Sequence, residues 1–324
     1  MKTIIVGPND ANQRIDKFLQ KYFKTMSLGM IYKSIRKKRV KINGKRVEKN
    51  YRLIENDVID LYINDSFFEE TKAFKTKIAP EAFKGVNPNI HIIYEDENIL
   101  LTDKQPGMVV HPTGQEQTNT LITHIQSYLY HKKEFDPESE HTFAPALCNR
   151  IDRNTGGIVI AAKNAEALRI VNEKIKHKEI RKFYLCLVHG LLEHKHGKLE
   201  GYLIKDHSTN KVSIYNAHQG KAKSIVTKYN VLKEKNNMSL VEVELITGRT
   251  HQIRAHFSSI GHPLAGDRKY GGKNLPGVHY QALYAYKLTF DFKTDAGILN
   301  GLKGKSFEVK EVDFASTGQA YDML

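Results

Sequence analysis

The sequence RIDRNTGG at residues 150–157, followed directly by the apolar run IVIAA, sets the prediction of the fold. It places one carboxylate, Asp152, between Arg150 and Arg153 and then runs into a threonine and two glycines. Asp and Gly favour a turn, whereas a short continuous apolar run is typical of a buried strand. The stretch therefore predicts a turn leading into a core strand over residues 157–162. It leaves open whether Asp152 is a surface ion-pair partner or a reactive group.

The net charge of +14 over 324 residues predicts a polyanionic partner. Ten Lys and Arg and a single acid, Glu48, lie within residues 31–52, so this segment alone carries a net charge of +9. Lysines and arginines that neutralise phosphates release counterions, which favours nucleic acid as the partner. A solvated basic face without a partner, or attraction to anionic lipid, remains an alternative.

The remaining composition predicts an ordinary globular protein of the cytoplasm. No apolar run approaches the roughly 18–20 residues needed to span a bilayer, and the N-terminus has no evident signal peptide. Cys148 and Cys186 form neither a disulfide framework nor a CxxC metal pair. We therefore expect no membrane partner.

Periodicity in the N-terminal part predicts two short helices and a hairpin. Apolar residues of the segment 13–23 recur at helical spacing, and Ser27 can cap a second helix. Asn43–Gly44 favours a tight hairpin turn, and residues 57–63 read as a further strand. The basic side chains predicted to bind RNA on this module are Arg36, Lys37, Lys38, Arg39, Lys41, Lys45 and Arg46.

The chain is predicted to hold an N-terminal RNA-binding domain over 1–65, a linker over 66–88 and a large domain over 89–324. In the large domain IHIIY, ILLT, MVV, KFYLCLV and SLVEVELI read as strands, mixed with helices but without regular βαβ repetition. This mixture favours an α+β domain on a largely antiparallel mixed sheet. A helix is predicted over 249–260, with Thr250 as its N-cap.

Several common kinds of catalytic site are not predicted. The sequence contains no Walker loop, no GxGxxG after a strand, no HExxH and no GxSxG. No histidine pairs with Cys or an acid at metal-ligand spacing, so no metal site is expected. A two-carboxylate hydrolase needs a second acid at the site. The one candidate beside Asp152 is Asp267, whose surroundings AGDRKYG suit a turn better.

Five stretches in order resemble the RluA-type family of RNA pseudouridine synthases. They are YEDENILLTDKQPGMVVHPT, NRIDRNTGGIVIAAKN, KFYLCLVHG, LITGRTHQIRAHFSSIGHPLAGDRKYG and QALYAYKLTF, which lie within residues 89–290. In the N-terminal part RIDKFL, KRVKINGKRV and ENDVIDLYI resemble the S-four-type RNA-binding fold. The family usually has histidine where this chain has Asn149, which could alter substrate preference.

The resemblance implies that the chain detaches a uracil from its ribose in RNA, turns it and rejoins it through carbon. Asp152 would be the catalytic acid, Tyr184 would stack on the base and serve in proton transfer, and Arg254 would pair with Asp152. Arg150 would enter the space left by the flipped nucleotide. Arg249 and His251 would bind RNA or make structural hydrogen bonds.

Bonds are exchanged within one nucleotide in this reaction, so no cofactor is expected. Ribosomal RNA is the expected substrate, with transfer RNA as a second possibility, and one chain holds the whole predicted site, which favours a monomer. Two other functions stay open. The chain could be a non-catalytic RNA-binding or ribosome-assembly factor, or a nucleic-acid glycosidase that leaves abasic sites.

Overall fold

The computed structural model describes residues 1–77, 83–206 and 208–316. Part of the predicted linker, 78–82, and the end of the predicted large domain, 317–324, lie outside the described residues. The helices are α1 (Ile15–Tyr22), α2 (Leu28–Arg36), α3 (Asp65–Lys77), α4 (Leu121–His131), α5 (Ala165–Lys176), α6 (Gln252–Ser259) and α7 (Asp313–Ser316).

The strands are β1 (Lys2–Ile5), β2 (Val40–Ile42), β3 (Lys45–Arg46), β4 (Val58–Leu61), β5 (His91–Glu95), β6 (Ile99–Lys104), β7 (Ala146–Leu147), β8 (Gly156–Ala162), β9 (Ile180–His189), β10 (His196–Asp206), β11 (Lys211–Tyr215), β12 (Lys223–Lys235), β13 (Met238–Leu245), β14 (Leu283–Phe290) and β15 (Ser306–Glu308). Short 3₁₀ turns lie at Arg268–Tyr270 and Gly297–Leu302. Among the described helices, none is both long and apolar enough to cross a membrane.

The chain divides into two compact units. The first consists of residues 1–89, 122–146 and 162–168, and the second of residues 90–121, 147–161 and 169 onwards. The chain passes more than once between the two units, so each unit is made of several separate segments. The prediction instead divided the chain into three consecutive segments, 1–65, 66–88 and 89–324. The predicted limits of the RNA-binding domain at residue 65 and of the linker at residue 88 therefore stay predictions.

The first unit has the two helices and the hairpin that the sequence predicts. Its four-stranded sheet has the order β1-β4-β2-β3, and the apolar face of α1 is buried on its core. Ser27 caps α2 by accepting a hydrogen bond from the backbone N–H of Met30 at 3.3 Å. Asn43 and Gly44 have φ values of 50° and 72°, the left-handed conformation that a tight hairpin requires.

Helix α3 was not predicted, because the segment that follows residue 65 lacks clean periodicity. Phe67 and Phe68 nevertheless pack against the core of the first unit, and the rings of Phe23 and Phe68 lie 5.1 Å apart. Two adjacent aromatic residues do not give the spacing of an amphipathic helix, although they bury a large apolar area. Tertiary packing therefore stabilises a helix that the local sequence pattern does not predict.

The second unit is built on an eleven-stranded sheet with the order β11-β10-β12-β13-β9-β14-β8-β6-β5 along its main path. β14 pairs with β8 in parallel, while β9, β10, β12 and β13 pair with their neighbours in antiparallel fashion. The prediction of an α+β fold with a largely antiparallel sheet is confirmed. The predicted strand MVV was wrong, because Val109 makes only an isolated bridge with Thr120.

The two glycines after the Asp152 turn allow β8 to approach β14 closely. A Cβ on Gly156 would lie 2.3 Å from the ring of Tyr284, and one on Gly157 would lie 2.3 Å from the carbonyl oxygen of Ala285. Gly157 also has a φ of 115°, which L side chains rarely adopt. The glycines are therefore required by the strand pairing that follows the turn.

We predict that Gly157→Ala destabilises the fold because its methyl group meets backbone atoms that cannot move aside. The control is Gly304→Ala, where φ is 78° but nothing lies within 4 Å of the added Cβ. Chemical denaturation should give a loss about 1–3 kcal/mol larger for Gly157→Ala than for the control. Equal losses for the two variants would contradict this account.

Candidate active site

Asp152 is held by an arginine distant in sequence rather than by the two arginines that flank it. Its Oδ2 accepts a hydrogen bond from Nη1 of Arg254 at 2.9 Å. The side chain of Asp152 is 27% exposed, whereas that of Arg254 is 8% exposed. Among the described residues no hydrogen bond reaches Oδ1 of Asp152. The acid is therefore fixed through one oxygen and free at the other.

Arg254 lies on α6 and is held in place by a second carboxylate, that of Asp267. Nε and Nη2 of Arg254 donate to the two oxygens of Asp267 at 2.6 and 2.8 Å. Burial alone would lower the pKa of Arg254, but the hydrogen bonds and negative charges of Asp267 and Asp152 outweigh burial and raise it. The guanidinium therefore stays charged and bridges the two acids.

Asp267 was predicted to lie in a turn, but its ion pair with Arg254 was not predicted. It does lie at a turn, since it directly precedes the 3₁₀ turn Arg268–Tyr270. Its side chain, however, points to Arg254 and the residue is only 2% exposed. Its burial is what distinguishes Asp267 from an ordinary turn acid, and the sequence alone does not reveal burial in a turn.

His251 is largely buried and lies close to Asp152, unlike an exposed surface residue. Its Nε2 is 3.8 Å from Oδ2 of Asp152, and its Nδ1 is 2.9 Å from the hydroxyl of Tyr270. The helix begins at Gln252, with His251 in the left-handed conformation before it, so the prediction of Thr250 as N-cap was wrong. Gln252 explains the difference, because its Oε1 accepts from the backbone N–H of Arg249 and from Thr247.

Tyr184 lies on β9 and is only 6% exposed. Burial, and then the negative charge of Asp152, raise the pKa of its phenol above the ordinary value. The ring is therefore neutral at physiological pH and close enough to Asp152 to feel its charge. The stacking and proton-transfer role expected for Tyr184 stays a prediction.

Lys104 is a further residue that holds the Asp152 turn, and the sequence did not single it out. It is 1% exposed, and its Nζ lies 2.9 Å from each of the carbonyl oxygens of Gln105, Met108 and Arg153. These acceptors match the three N–H bonds of an ammonium group. Burial lowers the pKa of Lys104 to about 7, while the charges of Asp152 and Asp103 oppose that shift.

Asn149, which stands where the family usually has histidine, is used within the fold. Its Oδ1 accepts from the backbone N–H of Ile160 at 2.8 Å, and its Nδ2 donates to the carbonyl of Ile158 at 3.3 Å. Both partners belong to β8. The side chain therefore fixes the chain just before Asp152 against the strand that follows it.

The residues predicted to contact RNA are mostly exposed, and their role in RNA binding stays a prediction. In the second unit Arg150 and Arg249 are exposed. The positive charge of Arg150 adds to burial in lowering the pKa of His111. In the first unit Lys41 is half-buried with its ammonium 5.2 Å from the ring centre of Tyr62. The six other basic residues predicted there are exposed: Arg36, Lys37, Lys38, Arg39, Lys45 and Arg46.

No metal site can be recognised among residues 1–77, 83–206 and 208–316, where no three His, Cys, Asp or Glu side chains are grouped to hold an ion. The charged groups around Asp152 are instead Arg254, Asp267 and Lys104. The arrangement presents one carboxylate oxygen, a neutral phenol and a buried guanidinium.

Comparisons with known proteins identify the family to which the chain belongs. The family model described as RNA pseudouridylate synthase matches residues 98–259, and the S4 domain model matches residues 13–59. An RNA pseudouridine synthase of Mycoplasma capricolum is 34% identical over 90% of this chain and 92% of its own length. The ribosomal large subunit pseudouridine synthase C of Buchnera aphidicola is 32% identical over 83% of this chain and 81% of its own.

Among solved structures, human RNA Pseudouridylate Synthase Domain Containing 1 has a similar fold. The TM-score is 0.54 at 21% identity, and the match covers 74% of this chain and 89% of the human chain. The predicted resemblance is thus confirmed for both the N-terminal part and the large domain. The chain belongs to the RNA pseudouridine synthase family, with an S4 RNA-binding domain in its N-terminal part.

Proposed function

We propose that this protein isomerises specific uridines to pseudouridine in ribosomal RNA, with Asp152 acting at the glycosidic carbon. One observation carries the proposal: Arg254, fixed by Asp267, donates to Oδ2 of Asp152 and leaves Oδ1 without a partner among the described residues. A carboxylate that attacks a sugar carbon has to be ionised and yet partly shielded from water. Arg254 binds the carboxylate through a charge-assisted hydrogen bond.

The reaction needs no group from outside the nucleotide. The bond between C1′ and N1 of uracil breaks, a bond between C1′ and C5 forms, the proton on C5 is released, and N1 takes up a proton from water, so the product is an isomer. A free carboxylate oxygen can serve at C1′ or at a neighbouring proton while the base turns. This balance supports the expectation that no redox, nucleotide or metal cofactor takes part.

Tyr184 and Arg150 suit the handling of a nucleotide that has left its stack. The buried, neutral phenol of Tyr184 offers an aromatic face to the uracil, and its proton is retained because its pKa is raised. Arg150 is exposed, so its planar guanidinium can enter the RNA and stack in the vacated position. Extrusion costs a few kcal/mol, which such stacking partly offsets.

Ribosomal RNA is the favoured substrate because relatives such as those of Buchnera aphidicola and Haemophilus ducreyi are named as ribosomal large-subunit synthases. The basic residues of the S4 domain would add sequence-independent affinity for the phosphate backbone. We further propose that the protein acts as a monomer in the cytoplasm. The functional division would follow the predicted limits of 1–65 and 89–324.

We predict that Asp152→Asn lowers the isomerisation rate by more than about 10³-fold, because the amide is no longer an anionic nucleophile. RNA binding should stay nearly unchanged. Tritium release from RNA that carries 5-tritiated uridine measures the rate, and filter binding measures the affinity. A matched control is Asp291→Asn, since Asp291 is also a partly exposed acid, paired with Lys293.

The same assay separates the proposed function from its alternatives. An RNA-binding or assembly factor would release no tritium even as wild type, and its deletion would leave the cellular pseudouridine map unchanged. A glycosidase would yield abasic sites rather than an isomer of equal mass. Undiminished tritium release by Asp152→Asn would refute the role of Asp152.

For the S4 domain we predict that the triple variant Arg36→Gln, Lys37→Gln, Arg39→Gln weakens RNA binding and flattens its salt dependence. The slope of log affinity against log salt should fall in magnitude by about 2–3, since each phosphate contact contributes about 0.7–0.9. The control replaces three exposed lysines of the same unit, Lys17, Lys21 and Lys24, by Gln. Equal slopes for the two triple variants would count against the predicted RNA-binding surface.

A further inference from the structure

Tyr270 fixes which nitrogen of His251 carries the proton. The hydroxyl of Tyr270 accepts from the backbone N–H of Val212 at 3.0 Å and lies 2.9 Å from Nδ1 of His251. The phenol has one proton to donate, and among the described residues Nδ1 is the acceptor within reach. The neutral imidazole therefore accepts at Nδ1 and carries its own proton on Nε2.

That Nε2–H is directed towards the oxygen of Asp152 that is already bound. Nε2 lies 3.8 Å from Oδ2, the same oxygen that accepts from Arg254 at 2.9 Å. The distance of 3.8 Å is too long for a hydrogen bond, but a shift of the carboxylate by about 1 Å would close it. Oδ2 thus has both Nη1 of Arg254 and Nε2 of His251 as neighbours, whereas no hydrogen bond reaches Oδ1 among the described residues.

The backbone of His251 is strained in a way that serves this orientation. Its φ of 52° and ψ of 19° are left-handed, a conformation that is uncommon outside glycine and that Asn, Asp and His adopt more often than other side chains. No side-chain cap bond of His251 to α6 compensates for it. A backbone outlier that directs a side chain at a reactive group is a feature typical of functional sites.

Burial is the main reason that the pKa of His251 is lowered, which favours the neutral imidazole. Burial lowers the pKa of His251, the charge of Asp152 opposes this, and Arg254 and Lys269 lower the pKa further, while Asp267 opposes them. A neutral ring with a fixed tautomer donates through a single nitrogen. The side chain is only 9% exposed, which leaves little surface for a contact with RNA.

We propose that His251 is a positioning residue that, held by Tyr270, directs its Nε2–H at Oδ2 of Asp152 and thereby reserves Oδ1 as the reacting oxygen. This assignment rests on the proposed function of Asp152. It replaces the expectation that His251 contacts RNA. His251 itself touches neither substrate nor reacting atom and acts through the carboxylate.

Two substitutions at His251 distinguish the Nε2–H from every other property of the side chain. Gln places an N–H donor near the position of Nε2. Asn places its polar group near the position of Nδ1, where it can still contact Tyr270, and Asn tolerates the left-handed backbone better. A merely structural role therefore favours His251→Asn, whereas the positioning role favours His251→Gln.

The experiment measures single-turnover tritium release at saturating RNA, together with the RNA Kd and the melting temperature. We expect His251→Gln to keep the rate within about 5-fold of wild type and His251→Asn to lose about 10- to 100-fold, both with unchanged Kd. A rate for Asn equal to or above that for Gln would overturn the proposal. A raised Kd with an unchanged saturated rate would overturn it too, and would make His251 an RNA contact.

A second variant keeps the proposal testable if His251→Asn fails to fold. Tyr270→Phe removes the proton donor to Nδ1, so the rate should fall about 10-fold, whereas Tyr286→Phe, a control at another buried phenol, should leave it unchanged. An unchanged rate for Tyr270→Phe would overturn the proposal. Asp152→Asn tests the proposed function separately: if it stays active, the proposed function fails, and if it is inactive while the His251 variants behave alike, only the present inference fails.

Discussion

The site depends on one buried guanidinium that bridges two carboxylates. Arg254 gives two N–H groups to Asp267 and a third to Asp152, so its orientation is fixed before any substrate arrives. Breaking such a buried pair by removal of one partner costs about 3–5 kcal/mol, because a charge is left without compensation. Asp267 is therefore as important to the position of Asp152 as Arg254 itself, although it has no contact with the reactive oxygen.

The fold brings these groups together from distant parts of the chain. Helix α6 packs with Ala255 against Leu203, Val212 and Ile225 of the sheet, and the preceding residue, Arg254, lies over the ring of Tyr270. Gly157 lets β8 run beside β14, and the Asp152 turn stands at the start of that strand. Lys104, at the end of β6, donates hydrogen bonds to the carbonyl oxygen of Arg153 in the Asp152 turn and to that of Met108 in the loop that follows β6. It thereby connects the turn to this loop.

Several elements of the fold can be predicted from the sequence, because local residue patterns determine them. The amphipathic α1, the Ser27 cap, the Asn43–Gly44 turn and the apolar run of β8 are all read from neighbouring residues. Strands β10, β11 and β12 were not predicted. β12 is a long strand with exposed lysines, and its apolar residues alternate too weakly to predict a strand. Its pairing with β10 and β13 on both sides stabilises it in the sheet.

The parts of the site that sequence reasoning did not place depend on burial and on tertiary hydrogen bonds. Asp267 and Lys104 look like a turn acid and a surface lysine until their partners are known, since both are nearly fully buried. The left-handed His251 could not be anticipated because Thr250 offers an ordinary N-cap signal. The predicted set Asp152, Tyr184 and Arg254 came from the family resemblance, and its catalytic roles stay proposals.

The measurement that tests the central claim most directly is the single-turnover rate of Asp267→Asn. This change keeps the shape of the side chain and one carbonyl oxygen but removes the charge that fixes Arg254. If a guanidinium held by two carboxylates is what keeps Asp152 reactive, the rate should fall by about 10- to 100-fold while RNA affinity stays the same. A folded Asp267→Asn protein that isomerises uridine at the wild-type rate would contradict the account.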